Sequence, residues 1–404
     1  VLSTLTKAAD LAIDDHVGRT LTAVRLHLGM ELAYVSEFVD DHARFREVDG
    51  PGLEHLLKTG DSVPIADAFC HHVLDGRLPE LMRDTAEYEA AMRLPITHRL
   101  PIGAHLGVPI RQADGRVIGM FGCLRRTPDP SLTPRDLAIM RVFADLAGRQ
   151  IINRIETDKR ARRIRADIGA IIDGTAFAFE YQPIWELSTG RPLGFEALCR
   201  FRPGPYRAPN KWFAEAAEIG LTIELELAVI REALKDLPSI PTSQFLSLNA
   251  SPTTVLSGRL HQLLSSVPPG SVVIEVTEHA PVDDYDRLTA ALEPLREAGI
   301  GLAIDDAGAG YASLQHIISL KPDRIKLDGS LTRSIDRDPA RRALATALVA
   351  FARETEATII AEGIETSGEF KALRSLGVDK GQGYFLGAPA PLAIALEMRG
   401  LSVT

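Results

Sequence analysis

Apolar and polar positions along this chain follow two successive patterns. From about Leu5 to Arg154 the order reads helix, strands, helices, hairpin and long helix. "LTAVRLHLG" has helical spacing, whereas "ELAYVSEFV" and "ARFREV" alternate as strands do. In "HLGVPIRQADGRVIGMFGCL" an "ADG" turn sits between two apolar runs, which predicts a β-hairpin. The following stretch opens with Ser131, Thr133 and Pro134 as helix-start residues and keeps a helical period for roughly ten turns. A helix of that length is expected to join two domains. Its charged tail, "ETDKRARRIRAD", reads as a solvated face or coiled-coil flank.

From about Thr175 short apolar runs alternate with amphipathic helical stretches. The runs are "FLSLN" (245–249), "SVVIEVTE" (271–278), "IGLAIDD" (300–306), "RIKLD" (324–328), "TIIAEGIE" (358–365) and "GQGYFLG" (381–387). Strands alternating with helices at this spacing predict parallel βαβ units closing into a (β/α)8 TIM-type barrel. Ahead of them, "FEYQPIWEL" and "PLGFEALCRF" are separated only by "STGR". So tight a connection cannot join parallel strands, so one of the two is expected to run antiparallel to the rest.

Composition narrows the function classes. The chain has 404 residues and a formal net charge of -9 spread without long blocks, which argues against a general nucleic-acid binder. Cys70, Cys123 and Cys199 form no CxxC pair, so neither a disulfide framework nor a structural zinc site is expected, and a reducing cytoplasm fits. No signal peptide or bilayer-length apolar run is legible, so no membrane association is expected.

The predicted strand ends carry the chemistry. They present Asn249, Glu275, Asp305 with Asp306, Lys326, Glu362 and Gln382, and the hairpin adds Glu196. In a barrel these ends share one mouth, where that many carboxylates repel one another unless cations intervene. The donors are oxygen, with no histidine or cysteine, which favours magnesium or manganese over zinc. The number of ligands points to two ions, roughly 3.5–4 Å apart in phosphodiester-cleaving sites. "AGAGYASL" lacks the Gly-Lys-Ser/Thr of a P-loop.

The ordered set "YQPI" (181–184), "GFEALCRF" (194–201), "LNAS" (248–251), "EVTE" (275–278), "IDD" (304–306), "IKLD" (325–328), "AEGIE" (361–365) and "GQGYFLG" resembles the motifs of EAL-domain cyclic di-GMP phosphodiesterases. The resemblance implies two-metal hydrolysis of cyclic di-GMP to linear 5'-pGpG with two Mg2+ or Mn2+ per barrel, and a homodimer. It implies Glu196, Asn249, Glu275, Asp305, Asp306, Glu362 and Gln382 as metal ligands or metal-site residues. Lys326 would orient or polarise the attacking water, with Glu362 as general base or metal-linked carboxylate. Gln182 and Arg200, with Asp306 and Gln382, would contact substrate, and Glu278 would brace the loop after Asp305-Asp306.

The family loop reads Asp-Asp-Phe-Gly-Thr-Gly-Tyr-Ser-Ser-Leu; here Ala307, Ala309 and Ala312 replace the Phe, the Thr and the first Ser. That change is expected to loosen the loop and its coupling to a dimer face. No Gly-Gly-Asp-Glu-Phe-like stretch supports cyclase activity. The earlier region resembles a GAF sensory domain whose small ligand the sequence does not identify. Cys70-His71 resembles a bilin-attachment pair, although Cys70 also reads as a small apolar helix residue. The expected organisation is therefore a GAF-like α+β domain (1–154), a helical linker (155–168) and an EAL barrel (169–404). The other functional reading is a catalytically weak cyclic di-GMP receptor.

Overall fold

The computed structural model describes residues 17–112, 114–202, 207–276, 282, 284–307 and 311–399, apart from the side chains of 147, 151, 155 and 311–314. It divides into two units, Val1–Arg160 and Ala161–Thr404.

In the first unit, alternating sequences form β1 (Leu32–Val39), β2 (His42–Asp49), β3 (Ser62–Pro64), β4 (Leu81–Met82), β5 (Ala104–Arg111) and β6 (Val117–Arg125). They pair antiparallel in the order β3-β2-β1-β6-β5-β4. Alternation gives the sheet two apolar faces. Tyr34, Phe45 and Met120 pack on one with Phe69 and Cys70, whose helix spans Phe69–Leu74. Val35, Leu106 and Phe121 pack on the other with Leu21, Val24 and Met140. Cys70 is buried, and burial pushes its thiol up to about 12, so it holds its proton at neutral pH. The cavity beside it measures about 20 Å³, room for roughly one water.

The expected long helix spans Pro134–Gly174 without a break. Ile164, Ile168 and Ile171 on its last turns belong to the core of the second unit, with Phe177, Phe201 and Trp212.

The second unit is a closed barrel of β7 (Phe177–Glu186), β8 (Pro192–Phe201), β9 (Phe245–Ala250), β10 (Val272–Val276), β11 (Gly301–Ala307), β12 (Arg324–Leu327), β13 (Thr358–Ala361) and β14 (Lys380–Gly381). β7 runs antiparallel to both neighbours, β8 and β14, and every other pairing is parallel. The hairpin connection thus sets the direction of β7, as its length requires.

One element differs from expectation: "GQGYFLG" forms strand only at its first glycine, within the two-residue β14. The chain then folds across the backbone of Ile364, where a Cβ on Gly383 would lie 2.2 Å from the Ile364 nitrogen. Such an approach requires glycine and takes the segment out of the ladder.

Candidate functional site

Alternation along the strands stacks the barrel interior in layers. Ile184, Phe245, Val273, Ala303 and Ile360 make an apolar layer. Two positions from each, toward the C-terminal ends of the parallel strands, stand Gln182, Ser247, Glu275, Asp305 and Glu362. Glu196, Asn249, Lys326 and Gln382 join them. Gln182 and Glu196 face each other across the β7–β8 pair, and Asn249 faces Glu275 across β9–β10.

Lys326 is the hub of this polar layer and is 1% exposed. Its Nζ donates to Glu275 Oε2 at 2.6 Å and to Glu196 Oε2 at 3.3 Å, and lies 2.7 Å from Glu362 Oε1 and 3.1 Å from Asp305 Oδ1. Gln382 Nε2 donates to Glu196 Oε2 at 2.6 Å and to Glu362 Oε1 at 3.0 Å. Asn249 Nδ2 donates to Glu196 Oε1 at 3.3 Å.

One ammonium against four carboxylates leaves excess negative charge in a low-dielectric place. Burial pushes the Glu275 carboxyl up to about 8, with Glu196 adding to the shift and Lys326 opposing it. Burial likewise raises Glu362 well above the ordinary carboxylate range, against the pull of Lys326. For Lys326, burial by itself would favour loss of the proton. The surrounding Glu196, Glu275, Glu362 and Asp305 outweigh it and hold that proton more firmly than water would.

The adjacent aspartates pose a geometric problem, because successive strand residues point to opposite faces. β11 solves it with an irregularity in its pairing with β12 between Ile304 and Ala307, where Asp306 has φ 55. That left-handed conformation costs a non-glycine residue roughly 1–2 kcal/mol. It breaks the alternation, and Asp305, Asp306 and Glu362 each bring one carboxylate oxygen within 4.8 Å of the others.

A hard divalent cation fits this donor set. Gln382 Oε1 is sealed from solvent with no hydrogen-bond donor among the described residues, and Asp305 Oδ1, equally sealed, faces the Lys326 ammonium at 3.1 Å, which it shares with three other carboxylates. Burial first, and the neighbouring carboxylates after it, raise Glu275 and Glu362, and a bound cation would offset both. The residues that could hold such an ion are Asp305, Asp306 and Glu362, with the Gln382 amide oxygen beside them.

The structure thus brings together Glu196, Asn249, Glu275, Asp305, Asp306, Lys326, Glu362 and Gln382. Gln182 is level with them, and its Nε2 donates to the Gly387 carbonyl at 3.2 Å. Arg200 stands four residues beyond Glu196 on β8 and is engaged elsewhere. Its Nε donates to Glu180 Oε2 at 2.9 Å and its Nη1 to the Cys199 carbonyl at 3.1 Å. Glu278, Ala309 and the glycines around it lie outside the described residues, and Ala307 is fully buried in the barrel core.

Sequence reading passed over Ser247, whose Oγ donates to Glu275 Oε1 at 2.5 Å and fixes that carboxylate from the side opposite Lys326. Its signal was present: Ser247 lies two positions before Asn249 and shares its face of β9. Glu226 was also missed. It accepts from both the backbone nitrogen and Oγ of Ser251 at 2.9 Å, fastening the turn that follows Asn249.

Comparison with known proteins agrees with this architecture. The EAL domain model matches residues 151–389 and the GAF domain model residues 12–151. The cyclic di-GMP phosphodiesterase NbdA of Pseudomonas aeruginosa is 28% identical over 370 residues, covering 85% of this chain and 45% of that protein. An uncharacterized signaling protein of Caulobacter vibrioides is 29% identical over 333 residues, covering 79% of this chain and 39% of its own. This chain therefore spans less than half the length of these curated relatives. Among solved structures, the PaMucR phosphodiesterase in complex with c-di-GMP is 28% identical with a TM-score of 0.52, covering 57% of this chain and 99% of that one. An EAL domain protein from Listeria monocytogenes is 25% identical with a TM-score of 0.51, covering 55% and 92%. Barrel, carboxylate layer and family match coincide: the chain belongs to the EAL domain family, carries a GAF domain ahead of its barrel, and is homologous to known cyclic di-GMP phosphodiesterases.

Proposed function

We propose that this protein hydrolyses cyclic di-GMP to linear 5'-pGpG at the barrel mouth, using two divalent ions, Mg2+ or Mn2+. The observation that carries the reading is the gathering of Glu196, Glu275, Asp305 and Glu362 around the single ammonium of Lys326. A bound metal pair would supply charge neutralisation for the phosphodiester and acidify a water. Asp305, Asp306 and Glu362 would hold ions with Glu196, Asn249, Glu275 and the Gln382 amide oxygen.

The chain's own groups divide the remaining work. Lys326 keeps its proton, so its role is that of a fixed positive donor that orients water and stabilises developing negative charge. Glu362, raised in pKa and anchored by Gln382, is suited to accept a proton from that water. Gln182 at the mouth and Arg200 further along β8 would position the guanine and phosphate; for Arg200 this means exchanging or sharing its bond to Glu180.

The GAF domain (1–154) would tune turnover through the helical segment 155–168, in a homodimeric, cytoplasmic protein. No helix among the described residues is long and apolar enough to cross a membrane.

The test is turnover of cyclic di-GMP by the full chain with Mg2+ or Mn2+, alongside Glu196→Ala. Conversion to the linear dinucleotide, lost in the variant while substrate still binds, supports the reading. Binding without conversion at every protein concentration replaces it with a receptor.

A further inference from the structure

The barrel has a second end, and it too carries charge. Two positions before Lys326, and therefore on the same interior face of β12, stands Arg324. It borders a polar cavity of about 410 Å³ among the starts of β10, β11, β12 and β13, where Arg296, Gly301, Asp323 and Thr358 also lie. That volume lies within the roughly 300–1,000 Å³ of small-molecule sites.

Arg324 is the unusual member. Its guanidinium packs over the Phe245 ring at 4.7 Å, and its Nε is sealed from solvent with no acceptor among the described residues. Stacking satisfies the face of a guanidinium but leaves its in-plane N–H groups without partners. Arg324 is half-buried, and its sealed Nε lacks the acceptor that a buried N–H normally has.

The neighbours have other commitments. Arg296 donates to Glu293 and to the backbone carbonyls of Leu320 and Lys321. Asp323 Oδ2 accepts from the Leu302 nitrogen at 2.7 Å. Thr358 Oγ1 donates to the Asp323 carbonyl at 3.1 Å and accepts from Lys380 Nζ at 3.3 Å, which sets a second cation one bond from the cavity. Burial, then the charge of Arg324, disfavours the ammonium of Lys380, against the opposing pull of Asp379, Glu186 and Asp323. Gly301 leaves the guanidinium its room, since a Cβ there would come within 2.7 Å of Arg324 Nη1.

A planar fork of unpaired N–H donors beside a second cation matches an oxyanion. We propose that the N-terminal end of the barrel is a second ligand site, taking a small phosphate-type oxyanion on Arg324, at the opposite end of the barrel from the carboxylate layer. The occupant is either free phosphate or a phosphoryl group on a small organic molecule. The site does not depend on the catalytic reading of the mouth.

The experiment is calorimetric titration of the full chain, without divalent metal, with inorganic phosphate and with guanosine monophosphate at constant ionic strength. Binding is expected in the parent and in Glu196→Ala, weakened at least tenfold in Arg324→Met. Tighter binding of the nucleotide assigns a phosphomonoester, and equal or weaker binding assigns free phosphate. If Arg324→Met fails to fold, Asp323→Asn decides: removing that negative charge is expected to tighten binding severalfold. No binding in the parent, binding that survives Arg324→Met, loss in Glu196→Ala, or indifference to Asp323→Asn overturns the proposal.

Discussion

Lys326 and Glu275 form an ion pair closed off from water: Nζ donates to Oε2 at 2.6 Å, and their side chains are 1% and 0% exposed. Removing one partner of such a pair leaves a buried charge uncompensated, at a cost of roughly 3–5 kcal/mol. Lys326→Met is therefore expected to destabilise the metal-free barrel by about that amount. Urea unfolding followed by Trp185 and Trp212, both in the barrel, measures it. Saturating Mn2+ is expected to restore much of the loss by replacing the missing cation, and a metal-free Lys326→Met as stable as the parent would sink the electrostatic account of this layer.

Asp306 separates the contribution of charge from that of backbone strain. Asparagine tolerates the left-handed region nearly as well as aspartate, so Asp306→Asn is expected to change stability by less than about 0.5 kcal/mol. The same change removes one carboxylate from the Asp305, Asp306 and Glu362 group and should weaken Mn2+ binding by a factor of ten or more. Titration of Mn2+ by calorimetry reads the second effect and thermal unfolding the first. An unchanged affinity would remove Asp306 from the ligand set.

The barrel was legible because its strands carry strong alternating or apolar runs, and its acidic cluster because carboxylates end them. Three features were not legible, each because it depends on a contact outside its own run. The bulge that turns Asp305 and Asp306 to one site is a property of the β11–β12 pairing, and adjacency in sequence by itself predicts divergence. Arg200 meets Glu180 diagonally across the β7–β8 ladder, an encounter fixed only once Tyr181 is set opposite Ala197. The shortness of β14 follows from the Ile364 backbone, nineteen residues before Gly383.

That last contact makes Gly383 a positioning residue for its neighbour Gln382. A Cβ at 383 would stand 2.2 Å from the Ile364 nitrogen and 2.3 Å from its oxygen, and backbone cannot give way as a side chain can. Gly383→Ala is expected to push the segment outward and break the bonds from Gln382 to Glu196 and Glu362. The predicted cost is about 3 kcal/mol or more in stability, from strain and lost hydrogen bonds. Turnover should fall together with it. Gln382→Ala keeps the backbone path, so it is expected to lower turnover at a much smaller stability cost; equal destabilisation by the two variants would count against the steric argument.

In the first unit, His105 gives the sheet a dependence on pH. Its ring is buried, with Nε2 3.0 Å from the Tyr34 hydroxyl and the Phe69 ring at a centroid distance of 4.9 Å. Burial lowers its pKa from 6.5 to about 4. Between those two values the unfolded chain binds a proton that the folded sheet refuses, so stability rises with pH across the window and is lost as pH falls through it. The full loss is roughly 3 kcal/mol near pH 4, of which about 2 kcal/mol has gone by pH 5. Both tryptophans lie in the barrel, so fluorescence does not report on this unit. Hydrogen exchange of the β5 and β6 amides does, once corrected for the intrinsic rate at each pH. Protection in the parent is expected to drop by about 2 kcal/mol between pH 7 and pH 5, and by no more than half of that in His105→Gln, which keeps a polar partner for Tyr34 without titrating. The same drop in both proteins would assign the acid sensitivity to other groups.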